Sequence, residues 1–244
     1  MRGCLAVYHR EVLILRKKLL KQIASMSVAP LLYLMAFGLG MGRHVQIGGR
    51  SYLEFLIPGL IAMSSMTQAF AIASEINIAR FYWRIFEEFQ AAPIGCLAYV
   101  TGEVLAGITR ALLSVGVILA IALGFGVVLS CNPAFWLGVI LNSFVFASLA
   151  VAMAMLVKSH ADQALLTNFF ITPMAFLGGT FFPVDQMPSW VQTPLNLLPL
   201  THAAQAIRTA AFKGTPEAFS YFLLASMGVV LFVFALLCVN KAKE

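Results

Sequence analysis

Charge is scarce in this chain. Asp, Glu, Lys and Arg together make up 11% of the 244 residues, against about 25% in an ordinary soluble domain. With 61% of residues hydrophobic, too little polar surface remains to cover a water-soluble globule, and a chain solvated by lipid is the class left standing. Cysteine is also sparse: Cys4, Cys96, Cys131 and Cys238 are scattered without a C-x-x-C spacing, which excludes a disulfide framework and a cysteine zinc site. The glycine-rich phosphate loop G-x-x-x-x-G-K-[ST] is missing, so the chain is not expected to bind ATP in the usual way, and neither H-E-x-x-H nor G-x-S-x-G occurs. His160 and Asp162 flank a single alanine in a short loop, and His202 has no second ligand beside it in sequence. No catalytic, cofactor-binding or metal-ligating set is expected, and the chain does not read as an enzyme.

The formal net charge of +6 raises the question of nucleic acid. No Lys/Arg stripe alternates with aromatics over a polar surface, so that partner is not expected. The basic residues bunch beside long apolar runs instead, the pattern that sets membrane topology. Apolar runs occur at 24–42, 55–78, 98–129, 134–157, 164–182 and 219–239, each near or above the roughly 20 residues needed to cross about 30 Å of hydrocarbon. The first lacks an Ala-x-Ala cleavage site and reads as a retained span. The third is long for one crossing and is expected to tilt or project beyond the bilayer. Of the fifteen Lys and Arg outside these runs, eleven fall on the side of the termini, which predicts both termini in the cytoplasm.

Three segments are not ordinary spans. In residues 1–22, Leu5, Tyr8, Val12, Leu15 and Leu19 recur at spacings of three and four with His9, Arg10, Arg16 and Lys17 between them, predicting an amphipathic helix in the headgroup region. The stretch 80–93 interleaves Phe81, Tyr82, Trp83, Phe86 and Phe89 with Arg80, Arg84, Glu87 and Glu88, and Pro93 ends any helix there. Aromatic anchors ringed by charge suit a protein-docking surface, and they equally suit an aromatic belt at the membrane interface. From Gly178 to Lys213, Gly178-Gly179 and four prolines break regular helix in a strongly apolar stretch. Irregular backbone at membrane depth is tolerated only where protein or a cavity surrounds it, so 183–213 is expected to form re-entrant half-helices on the outer side. Within the spans lie Glu75, Glu103 and Arg110. Buried charge in a bilayer is costly unless paired; Glu103 and Arg110 are two turns apart, too far for an i,i+4 pair, so Arg110 requires a carboxylate or carbonyls from another helix, either as structure or along a substrate route.

Assembled, these features resemble the membrane subunit of a type-two ABC exporter, the family of the Nod-factor, O-antigen and daunorubicin-type permeases. The specific marks are Pro30-Leu-Leu-Tyr-Leu-Met-Ala-Phe-Gly-Leu-Gly40, Phe55-Leu-Ile-Pro-Gly-Leu-Ile-Ala-Met63, and Phe176-Leu-Gly-Gly-Thr-Phe-Phe-Pro183 continuing to Leu198-Pro-Leu-Thr201. The resemblance implies an all-α fold of six spans with an N-terminal interface helix. It implies pairing with a second copy or a homologous permease, and two separate ATPase subunits that bind the ATP and Mg. It makes Arg84–Pro93 a coupling helix that docks on the ATPase through Arg84, Phe86, Glu87, Glu88, Phe89 and Pro93. The expected location is the inner membrane, and the expected cargo is lipid-linked, glycolipid or amphipathic. Two alternatives stand beside it. An ion-coupled carrier using Glu75, Glu103 and Arg110 would show a broken helix in each half, and only 178–199 is broken in sequence. A membrane assembly protein without transport activity would have no ATPase partner.

Overall fold

The computed structural model describes residues 2–40, 45–47, 49–83 and 94–242; the stretch expected to form the coupling helix, Arg84–Pro93, lies outside them. The described chain is almost entirely helical. Helix α1 (Arg2–Lys17) is followed by α2 (Leu19–Tyr33), which continues through a wider π-helical turn at Leu34–Leu39. Pro30 lies inside α2 and withholds one helical donor, and the π turn opens one turn later. A minimal antiparallel hairpin, β1 (Gln46–Ile47) and β2 (Arg50–Ser51), pairs Ile47 with Arg50, with Gly49 at φ +77 in the turn. Ser51 then opens α3 (Tyr52–Phe70) with a capping box: the Glu54 N–H donates to Ser51 Oγ at 3.3 Å and the Ser51 N–H to Glu54 Oε2 at 3.0 Å. Helix α4 (Ile72–Phe81) follows α3 after Ala71 as one rod.

The remaining elements are α5 (Cys96–Gly124), α6 (Pro133–Leu156), α7 (His160–Leu166), a π turn (Thr167–Ile171), α8 (Thr172–Leu177), a 3-10 turn (Val184–Gln186), α9 (Ser189–Leu195), α10 (Pro199–Ala211) and α11 (Ala218–Lys241). Starts are set locally. Asn132 accepts from the Phe135 N–H at 2.8 Å ahead of Pro133, and Ser159 accepts from the Asp162 N–H at 3.1 Å. Helix α5 stops at Gly124, short of the expected 129, where Gly126 at φ +78 turns the chain.

Five helices among the described residues are long and apolar enough to cross a membrane: Leu19–Gly38, Tyr52–Phe81, Cys96–Gly124, Pro133–Leu156 and Ala218–Lys241. The run expected to span at 164–182 is not among these five. Its helical path begins at His160 with Asp162 and Gln163 in the first turn and is interrupted by the π turn. The bundle is arranged around the α3–α4 rod. Its most apolar window is 83% buried, against 22% for α11 and 17% for α2, so α3 is the central helix and α2 and α11 present most of their surface outward.

Close approach rests on small residues, since lipid offers no hydrophobic drive between helices. A Cβ on Gly107 of α5 would lie 2.9 Å from Ala147 Cβ on α6 and 3.2 Å from the Ala69 carbonyl on α3. Polar contacts then fix the register. Ser64 and Ser114 share a hydrogen bond between α3 and α5, while Asn142 on α6 donates to the Ala62 carbonyl at 3.0 Å and to Ser65 Oγ at 2.8 Å. Nearer α7, Asn77 Nδ2 donates to Gln163 Oε1 at 3.1 Å.

At the end of the bundle opposite α1, α10 packs on α3, α6 and α11 with nine of its thirteen residues buried. Arg208 anchors it: Nε donates to the Phe55 carbonyl at 3.2 Å and Nη2 to the Gly179 carbonyl at 2.7 Å. The Tyr52 hydroxyl donates to the Phe181 carbonyl at 3.0 Å on the same side.

Candidate functional site: a charged junction of three helices

The scarce charge of this chain gathers where α1, α4 and α5 meet. Helix α1 runs along the first turns of α5. Val7 lies against Gly102, where a Cβ would stand 2.7 Å from Val7 Cβ, and the Tyr8 and Thr109 hydroxyls are hydrogen bonded at 3.0 Å. The face of α1 that this contact buries carries Val7 and Glu11, while Leu5, counted in the expected apolar stripe, is 64% exposed. The helix is therefore rotated from the expected register, because packing on α5 rather than lipid alone selects the inward face.

Glu11 arrives in this junction from α1, Glu75 from α4, and Glu103 and Arg110 from α5. Arg110 Nη1 and Glu75 Oε1 form an ion pair at 2.5 Å, and Arg10 Nη1 reaches Glu11 Oε1 at 3.0 Å. Glu11, Glu103 and Arg110 are all buried. Of the candidate charges, Glu75 and Arg110 are thus brought together; Glu103 is enclosed beside them and hydrogen bonded to Tyr99 one turn away on α5. Among the described residues, Glu103 Oε2 and Arg110 Nε have no hydrogen-bond partner. Burial pushes the Glu11 carboxyl above the usual carboxylate range, and Arg10 opposes the shift.

The junction reaches the end of α4 and the residues just after it. A cavity of about 100 Å³ is bounded by Arg10, Glu11, Lys18, Glu75, Ile78 and Trp83. Arg80, the penultimate residue of α4, donates to the Ala154 and Met155 carbonyls at 3.0 and 2.9 Å and so holds the last turn of α6. Phe81, Tyr82 and Trp83 are 37%, 71% and 55% exposed, giving an aromatic surface at the end of α4. Arg84, Phe86, Glu87, Glu88, Phe89 and Pro93 lie outside the described residues.

Sequence reasoning missed Glu11. The signal was present: it is the lone acidic residue before Glu54 in an otherwise basic N-terminal stretch, and a single carboxylate among cations is a candidate for internal pairing. Chemically, the junction holds ion pairs and no nucleophile–base pair. Among the described residues no cluster of His, Cys, Asp and Glu is placed to hold a metal ion, and all four cysteines are free. What the arrangement can do is tie α4 to α5 through the Glu75–Arg110 pair, with α1 held alongside α5 by the packing of Val7 on Gly102 and the Tyr8–Thr109 hydrogen bond.

A family profile described as "ABC-2 type transporter" matches residues 2–212. Nodulation protein J of Rhizobium leguminosarum bv. trifolii is 34% identical over 209 residues, covering 84% of this chain and 79% of that protein. Nodulation protein J of Rhizobium meliloti (strain 1021) is 33% identical over 207 residues with the same coverage. The inner membrane transport permease YadH of Escherichia coli K12 is 29% identical over 206 residues, covering 82% of this chain and 77% of that protein.

Proposed function

The chain belongs to the ABC-2 type transporter family, and from that membership we propose that it is the membrane-spanning half of an ATP-driven exporter whose ATPase is a separate polypeptide. Two copies of this chain, or this chain and a homologous permease, pair in the inner membrane over two ATPase subunits that bind and hydrolyse ATP with Mg. The cargo is lipid-linked, glycolipid or amphipathic. Six spans cross the membrane, with α7 and α8 together as the fifth and both termini cytoplasmic. Residues 84–93 are the coupling helix, and α9 and α10 form the outer re-entrant element.

The observation that carries this reading is the junction of Glu11, Glu75, Glu103 and Arg110 at the root of the 84–93 segment. A lever pushed by an ATPase needs stiff attachment to the spans. Here the rod that leads into the lever, α4, is ion paired to α5 and held to α6 through Arg80, while α1 packs on α5 beside it. Motion at 84–93 is therefore delivered to three spans at once instead of being absorbed in a loop. The alternative of an ion-coupled carrier assigns Glu75, Glu103 and Arg110 to ion binding; Glu75 and Arg110 pair with each other, which leaves only the buried Glu103 carboxylate among the three with an unpartnered oxygen.

The test is the double substitution Phe86→Ala with Phe89→Ala. Loss of buried aromatic anchors at an interface costs about 2 kcal/mol or more, so the ATPase subunit should co-purify poorly, or its hydrolysis should no longer drive export, with the permease still inserted in the membrane. Wild-type co-purification, turnover and export in this variant would remove 84–93 from the role of coupling element.

A further inference from the structure

At the end of the bundle opposite α1, β2, α3 and α10 surround a cavity of about 370 Å³. Two arginines line it, and each lies flat on an aromatic ring: the Arg208 guanidinium 3.8 Å above Phe55, and the Arg50 guanidinium 4.0 Å above Phe212. Neither forms an ion pair with a carboxylate among the described residues. Asp185 shares the wall, so the cavity carries two cations and one anion.

Arg208 is held rigidly. Its Nε and Nη2 edge is taken by the Phe55 and Gly179 carbonyls, and Nη1 makes no hydrogen bond with a described residue. Gly59 makes the placement possible, because a Cβ there would stand 3.1 Å from Arg208 Nη2 and 2.5 Å from the Thr180 carbonyl oxygen. A guanidinium stacked on a ring and fixed along one edge has already lost most of its rotamer freedom, which is the entropy that ligand binding otherwise consumes. Arg50 is stacked on its ring but exposed and not fixed along an edge; the planar forks of the two guanidiniums together match the oxygens of a phosphate or phosphodiester, and the volume falls within the usual range of small-ligand sites. Gln205 and Thr209 on the same wall add neutral hydrogen-bonding groups.

We propose that this cavity is a binding site for a phosphate-bearing group, held between Arg50 and Arg208. The phosphate can come from a lipid headgroup or from a soluble phosphorylated sugar; the recognising chemistry is the same. Which side of the membrane the cavity faces rests on the topology proposed above, whereas the binding, measured on the full chain in detergent solution, does not.

The experiment titrates the purified chain with glucose 1-phosphate and, separately, with dihexanoyl phosphatidylglycerol, following affinity by microscale thermophoresis. Arg50 is exposed, so Arg50→Gln should leave thermal unfolding unchanged and weaken binding about tenfold, the loss expected on removing one charge-assisted hydrogen bond. Asp185→Asn should tighten binding by removing the one opposing charge among the described residues of the wall. Saturable binding of the sugar phosphate identifies a soluble source and binding of the lipid alone identifies a headgroup; either upholds the site when both variants respond as stated. No saturable binding of either probe, or equal affinity in wild type, Arg50→Gln and Asp185→Asn, overturns it.

Discussion

Replacing Arg110 by leucine tests whether the charged junction is a structural lock. In the folded chain the Arg110 side chain is 8% exposed and Glu75, its partner at 2.5 Å, is 31% exposed. Removing one partner of a buried pair generally costs about 3–5 kcal/mol, because the other charge is left out of water unpaired. Glu75 keeps nearly a third of its surface, which hydrates part of the orphaned charge and brings the expected loss to about 2–3 kcal/mol. Replacing Glu75 as well removes that orphan, and the double variant Glu75→Leu/Arg110→Leu should return to within about 1 kcal/mol of wild type. The remainder reflects Glu11 and Glu103, which then face Arg10 alone. The assay is unfolding of the purified chain in mild detergent by denaturant titration, analysed as a double-mutant cycle. A single-variant loss below about 0.5 kcal/mol, typical of an exposed pair, or a double variant no more stable than Arg110→Leu, would refute the reasoning. Arg110 would then be solvated and no part of a lock.

Three further outcomes follow. Gly102→Val places side-chain atoms where Val7 and the Cys4 carbonyl already stand; it should cost about 1–3 kcal/mol and lift α1 from α5, seen as faster maleimide labelling of Cys4. Because burial raises the Glu11 pKa, the folded chain holds that proton more tightly than the unfolded chain does. Its contribution is therefore most favourable at and below the ordinary carboxylate range and is lost as pH rises above it. Thermal midpoints between about pH 4 and pH 8 should fall less in Glu11→Gln than in wild type, and identical slopes would show Glu11 to be solvated. Reporter fusions after Glu244 and at Arg50 should localise to opposite sides of the membrane, with matching signals refuting the proposed topology.

Much of the bundle was legible because lipid imposes a one-dimensional rule: a helix that crosses must be apolar for its whole length. Runs at 24–42, 55–78, 134–157 and 219–239 correspond to long apolar helices, each with its ends moved by local chemistry such as the Ser51–Glu54 box or the Asn132 cap. The run at 164–182 fared differently. Its helical path starts earlier, takes in His160, Asp162 and Gln163, and opens into a π turn at Thr167, a change of pitch that apolar counting does not register. At the junction, Arg110 demanded a partner from another helix and found Glu75, since an unpaired guanidinium there is expensive. Glu11 escaped notice because amphipathic periodicity describes a helix against a uniform solvent, whereas α1 faces the specific groove made by Gly102. Arg50 and Arg208 were read only as topology charges; their stacking on Phe212 and Phe55 joins residues far apart in sequence.

The central position of α3 has a consequence for biogenesis. Ribosomes deliver this rod early, ahead of nearly every group that later completes its hydrogen bonds: Ser114 on α5, Asn142 on α6 and Arg208 on α10 all emerge afterwards. A nascent chain that ends after α4 therefore carries Ser64, Ser65 and Glu75 toward lipid or the insertion machinery, and must be sheltered until Arg208, 153 residues beyond Phe55, has been made. The helix that is most enclosed in the finished protein is thus the one most dependent on escort during synthesis. Truncations that remove α10 should lead to quality-control degradation of the whole chain, where truncations confined to the residues after the buried Val239 do not.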